Sequence, residues 1–223
     1  MNVTLEVTYI TTKGMQTTFH SEDIEAQKAI VIAEDFQRTG RLKQVVFRDE
    51  RDSQWTLKEL KKFLEGIKTE PHQLTVYFDG GFDLETRLSG LGCVIYYEQN
   101  DVSYRVRKNA TVTSLASNNE AEYAALNLAL GELERLGAHH LPVTINGDSQ
   151  VVINQLSGEW ACTEEVLNRW ADRIDDKLAK IGLTPDYHVI PRKANREADQ
   201  LATQALDGQE ISSLSEVNRR DAN

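Results

Sequence analysis

The chain has 223 residues, 40% of them hydrophobic and 27% charged, with a formal net charge of −10; this is enough chain for one large domain or two small ones, each with an ordinary core. No apolar run is long enough to cross a bilayer, and the N-terminus lacks a basic-then-apolar leader pattern. The two cysteines, Cys93 and Cys162, read as small hydrophobes, so a reducing, cytoplasmic setting is expected, and the negative charge argues against tight nonspecific binding to nucleic acid.

Leu5-Glu6-Val7-Thr8-Tyr9-Ile10 alternates and predicts a strand; Lys13-Gly14 predicts a turn that returns through Thr17-Thr18-Phe19. Ser21 with Glu22 and Asp23 predicts a helix opening, because acids in a first turn meet the positive end of the helix dipole. Its apolar positions are Ile24, Ile30, Val31 and Phe36, and Gly40 stops it. Another strand runs from Leu42 to Phe47. Thr56 is the predicted cap of a second helix with the stripe Leu57, Leu60, Leu64 and Ile67. Residues 1–70 thus form a small α+β domain, joined to the rest through the polar stretch Lys68-Thr69-Glu70-Pro71-His72. Arg38, Arg41, Lys43, Arg48, Arg51, Lys58, Lys61, Lys62 and Lys68 fall in this domain, with Trp55 and Phe63 interleaved. They suit either a surface for substrate or partner, or a solvated helix face diluted by nearby acids.

The second domain, residues 71–206, opens with three strand candidates at 73–79, 91–98 and 102–112. A long helix follows from Asn118 to Leu136, closed by Gly137. Next come a strand at 142–147, a short helix from Ser149, and Trp160 in the turn after it. Thr163 with Glu164 and Glu165 predicts another helix, ending near Gly182. A fifth strand spans Thr184 to Ile190, and the last helix runs from Asn195 to Leu206. The order β-β-β-α-β-α-α-β-α predicts a mixed sheet covered by helices. Residues 207–223 read as a polar, frayed tail. The first 70 residues carry 11 basic and 12 acidic side chains, the remainder 14 and 23, so the acidity lies in the second domain.

Four acids in that domain stand out. Asp79 ends an apolar run and precedes Gly80-Gly81; Asp148 ends another. Glu122 flanks the apolar stripe Ala121, Ala125 and Leu128 of the long helix, where a carboxylate is uncommon without a partner. Glu120 fits a capping box with Ser117 and is assigned to structure. Asp199 lies one turn into the last helix. Singly, each acid has an ordinary reading as a turn or cap residue. Converging, they form a cluster that needs cations to neutralise it, which makes a divalent-metal site the leading hypothesis.

Phe78-Asp79-Gly80, Asn118-Asn119-x-x-Glu122, Gly147-Asp148-Ser149-Gln150 and Asn195-x-x-x-Asp199-x-Leu201-Ala202 together resemble the type 1 ribonuclease H family over about residues 73–206. The resemblance implies an α/β ribonuclease H-like fold with a five-stranded mixed sheet flanked by helices. It implies two Mg²⁺ or Mn²⁺ ions, with Asp79 bridging both, Glu122 and Asp148 helping to hold one, and Asp199 helping to hold the other. It further implies endonucleolytic hydrolysis of the RNA strand of RNA–DNA hybrids, giving 3′-hydroxyl and 5′-phosphate products. Asn118, Asn119, Gln150 and Asn195 are the implied substrate-binding residues, with Glu122 also matching a ribose 2′-hydroxyl contact. The stretch from Phe82 to Gly90 lacks the Asn-Pro-Gly turn of many relatives. Arg192 stands where many carry a mobile His; its fixed charge holds phosphate but shuttles no proton near neutrality. Leu156 to Trp170 has only Arg169 as a basic residue, so the basic handle of some members is missing. A monomer is expected. Two alternatives stay open: a non-catalytic module on the same fold that binds nucleic acid or protein, and a 3′-exonuclease.

Overall fold

The computed structural model describes residues 1–50 and 52–217. Arg51, the side chain of Ile67 and the last six residues of the expected tail lie outside the described residues. The chain divides into two compact units, Met1–Thr69 and Glu70 onward.

The first unit is an antiparallel sheet with two helices. Its elements are β1 (Asn2–Ile10), β2 (Gln16–His20), the short β3 (Ile24–Glu25), α1 (Ala26–Arg38), β4 (Leu42–Asp49), the short β5 (Gln54–Trp55) and α2 (Leu57–Thr69). The strand order is β2-β1-β4-β5, with β3 paired to β1. Alternation in β1 buries Val3, Leu5 and Val7 against Phe47, Leu60 and the alanines Ala26, Ala29 and Ala33. Helix α2 opens as expected. Thr56 Oγ1 accepts from Glu59 N at 3.2 Å, and Glu59 Oε2 accepts from Thr56 N at 2.9 Å, a closed capping box. Helix α1 departs from expectation: it begins after Glu25, with no side-chain cap. Ser21 is engaged elsewhere, accepting from Leu5 N at 2.8 Å, which leaves Ile24 to extend the sheet. Small alanines form the buried face of α1, and Val31 is exposed.

The second unit holds β6 (His72–Phe82), β7 (Ser89–Gln99), β8 (Val102–Val112), α3 (Asn118–Leu136), β9 (Pro142–Gly147), α4 (Gln150–Leu156), α5 (Glu165–Ile181), β10 (Thr184–Val189), α6 (Arg196–Leu206) and β11 (Ser212–Val217). The sheet order is β10-β9-β6-β7-β8-β11. Strands β6, β7 and β8 are antiparallel neighbours, whereas β9 runs parallel to β6 and β10 parallel to β9. Leu74, Val76 and Phe78 join Ile95, Ile145 and the long helix in one core. That helix packs against both β6 and α5, so nearly its whole circumference is buried.

Backbone contacts set the layers. A Cβ on Gly80 would lie 2.2–2.4 Å from the Ala121 and Glu122 main chain, so β6 meets α3 with no side chain between them. On the opposite face, a Cβ on Gly92 would lie 2.3 Å from the Ala198 carbonyl, so α6 lies directly on β7. Both close approaches demand glycine.

The expected five-stranded sheet gains a sixth strand, and the expected frayed tail is folded over residues 212–217. This strand pairs antiparallel with β8 in the register Leu214↔Val106. Buried Asn109 anchors it: its amide donates to Leu201 O at 3.0 Å and Gln209 O at 2.8 Å, and its oxygen accepts from Ile211 N at 2.7 Å. Hydrogen bonds, not apolar burial, recruit the segment, so its polar composition gave no strand signal. Helix α5 likewise starts at Glu165 after an uncapped Glu164, one residue beyond the predicted Thr163 opening.

Candidate active site

Parallel pairing of β6 and β9 aligns Tyr77 with Asn146, so the next residues on the same face, Asp79 and Asp148, emerge side by side. Asp79 does not end its strand, since β6 continues to Phe82 in a hairpin with β7. Asp148 follows β9 directly, and Ser149 caps α4 by accepting from Val152 N at 3.4 Å. The Gly80 contact brings the first turns of α3, and with them Glu122, against Asp79.

Ligand atoms of Asp79, Glu122 and Asp148 all lie within 4.8 Å of one another. Asp79 is 8% exposed and Glu122 5%. Burial, then the charges of Asp148 and Asp199, push Asp79 up to about 7. Burial, then Asp79 and Asp148, push Glu122 up to about 9. The Gly80 N–H and the Arg192 guanidinium oppose both rises without cancelling them. Glu122 Oε2 is buried with no hydrogen-bond partner. Such a cluster fits a hard divalent cation: all donors are carboxylate oxygens, and an ion would relieve both the repulsion and the orphaned oxygen.

Asp199 is exposed on the first turn of α6 and lies outside the three-carboxylate group, although close enough to raise Asp79. Arg192, in a 3₁₀ turn at Arg192–Ala194, sets its Nε 3.4 Å from Asp148 Oδ2 while its side chain stays 86% exposed. Asn118 and Gln150 are exposed and Asn119 is half-buried. Asn118 Oδ1 accepts from Phe82 N at 3.3 Å, tying the start of α3 to the hairpin. In that hairpin, Asp83 accepts from Glu85 N at 2.8 Å and Thr86 Oγ1 at 2.9 Å, a closed turn in place of Asn-Pro-Gly. Glu120 is structural, as expected, though it reaches Ala116 N at 2.7 Å and Trp170 Nε1 at 3.3 Å instead of its own cap residue.

Asn195 departs from its expected role. It is 1% exposed, with its Nδ2 within 2.8 Å of Phe78 O and 3.0 Å of Asp148 Oδ1, so it is buried behind the carboxylates and not open to a groove ligand. Sequence reasoning also passed over Glu197, which accepts from Tyr96 Oη at 3.2 Å and pairs with Arg105 at 3.2 Å and Arg107 at 2.9 Å. Alternation along β7 and β8 places Tyr96 and the two arginines on the α6 face, which was the available signal.

Residues 77–205 match the family model described as reverse transcriptase-like. The uncharacterized protein YpeP of Bacillus subtilis is 46% identical over 202 residues, 90% of this chain and 89% of that protein. Ribonuclease HI of Halobacterium salinarum is 33% identical over 131 residues, 59% of this chain and 63% of that protein, so the match spans less than two thirds of it. Among solved structures, the N-terminal RNase H domain of rv2228c from Mycobacterium tuberculosis superposes with a TM-score of 0.53 at 26% identity, covering 60% of this chain and 94% of that one. LC11-RNase H1 in complex with an RNA/DNA hybrid gives 0.52 at 26% identity, covering 61% and 98%.

Proposed function

We propose, from the premise that this chain belongs to the ribonuclease H family, that it is a metal-dependent endonuclease hydrolysing the RNA strand of RNA–DNA hybrids. The observation that carries the reading is the group formed by buried Asp79 and Glu122 with half-buried Asp148, whose oxygens converge within 4.8 Å. These three, with Asp199, would hold two Mg²⁺ or Mn²⁺ ions. When bound, such ions supply an activated water and counter-charge for the leaving oxygen. The chain's own residues do the rest. Asp79 and Glu122 give up their protons as cations arrive, so occupancy rises with pH. Arg192 carries a fixed charge beside Asp148, which orients a phosphate and moves no proton. Asn118, Asn119 and Gln150 offer amide donors and acceptors on the rim for a minor groove, where the 2′-hydroxyl distinguishes RNA from DNA. The products are a 3′-hydroxyl and a 5′-phosphate.

The test incubates the protein with end-labelled hybrid, double-stranded RNA and double-stranded DNA, with and without Mn²⁺. Internal cuts in hybrid RNA alone are expected. Asp79→Asn, Asp148→Asn and Asp199→Asn each remove a charge at constant shape, and each is expected to lower cleavage about a hundredfold or more. Retained cleavage in all three refutes the assignment.

The first unit adds grip in this reading. Arg38, Lys61 and Arg48 are committed to Asp35, Glu34 and the Glu6–Asp52 pair. Arg41 and Lys43, by contrast, bond neutral partners, Tyr9 Oη and Gln16 Oε1, each at 2.7 Å. Arg41 also lies over the Tyr9 ring, beside exposed Phe19. This cationic, aromatic patch complements a nucleic-acid backbone. Deleting residues 1–70 is expected to weaken hybrid affinity, and unchanged affinity overturns the role.

A further inference from the structure

Asn195 occupies the N-cap position of α6 yet makes no side-chain bond to that helix. Its side chain is turned inward. The amide nitrogen donates to the Phe78 carbonyl and to Asp148 Oδ1, while its main-chain carbonyl accepts from Asp199 N at 3.1 Å. Three carboxylate-bearing segments therefore meet at one residue: β6 just before Asp79, the end of β9 at Asp148, and the opening turn of α6 at Asp199. The bond to Asp148 occupies Oδ1, and Oδ2 is the atom facing Arg192. At 1% exposure the amide is inaccessible to a groove ligand. The far side of the same turn is held by Glu197 through Tyr96, Arg105 and Arg107.

We propose that Asn195 is a positioning residue: its amide fixes the Asp148 carboxylate and the Phe78–Asp79 peptide in one frame with Asp199, and so sets how tightly this chain holds divalent cations. The proposal rests on the reading of these carboxylates as cation ligands. Donors behind a ligand orient it, and their loss costs about 10–100-fold in metal affinity.

Two variants test it: Asn195→Ala, and Asn195→Leu, which refills the volume without the donor. Mn²⁺ is titrated without nucleic acid, reading the free ion by electron paramagnetic resonance, with a thermal melt alongside. KM and kcat are then measured on hybrid. Mn²⁺ binding about 10–100-fold weaker, with hybrid KM little changed, is expected. In the unaltered protein, the Asn195 side-chain amide is expected to exchange slowly with water and to broaden on adding Mn²⁺ in a nuclear magnetic resonance spectrum; this arm decides if neither variant folds. Parent-like Mn²⁺ affinity in a folded variant, a change in KM alone, or an amide exchanging as if in solvent overturns the proposal. An unaltered protein that binds Mn²⁺ but leaves hybrids uncut overturns the substrate reading and leaves this one standing.

Discussion

Asp79 and Glu122 hold protons that an unfolded chain would release, and this makes the metal-free protein pH-sensitive. An unfolded Asp ionises near pH 4, whereas buried Asp79 keeps its proton to about 7 and Glu122 to about 9. Across that window the folded state binds more protons, so stability falls as pH rises and levels off above the upper value. Glu122→Gln is expected to flatten the upper part of this slope and to stabilise the alkaline, metal-free protein by about 1–3 kcal/mol. Urea unfolding in a chelator across the window checks it, and an unchanged slope would contradict the burial argument. Gly80 is the other sensitive position. A methyl group there meets main chain on α3, which cannot rotate away. Gly80→Ala is expected to cost about 1–3 kcal/mol or more and to lower Mn²⁺ affinity by displacing Glu122, measured by denaturation and metal titration.

At the scale of elements, legibility followed the strength of local signals. Helix α3 matches its predicted span because Ser117 caps it and Gly137 ends it in the left-handed region at φ 77°. Asp79, Glu122 and Asp148 stood out because each follows or flanks an apolar run, and their oxygens converge although Asp79 lies inside β6 and not at its end. Helix α1 shifted because Ser21 found a tertiary partner in Leu5, which no window of sequence reveals. The β11 strand was hidden for a related reason: its serines carry no alternation, and its anchor, Asn109, lies about a hundred residues away. That dependence is testable. Asn109→Ala leaves Leu201 O, Gln209 O and Ile211 N without their partner and is expected to cost about 1–3 kcal/mol. Faster hydrogen exchange at the β11 amides, with β6 and β7 still protected, is the accompanying signature. Asn195, which the family resemblance implied as a substrate contact, lies 1% exposed at a junction of elements, a burial that no local window of sequence shows.

Across the whole molecule, the acidity and the candidate carboxylate site reside in the second unit, while the first is nearly neutral. A polyanionic substrate is therefore expected to bind weakly without divalent ions, and hybrid affinity to rise as Mn²⁺ is titrated in. Among the described residues, most buried apolar side chains fall into two clusters with no member in common, one containing Phe47 and Leu60, the other Phe78 and Tyr123. Heat is thus expected to melt the protein in two calorimetric steps, each with its own enthalpy. Saturating Mg²⁺ would move one endotherm upward and leave its companion in place, so a scanning calorimeter would report which half of the polypeptide carries the ions before any nuclease assay is run.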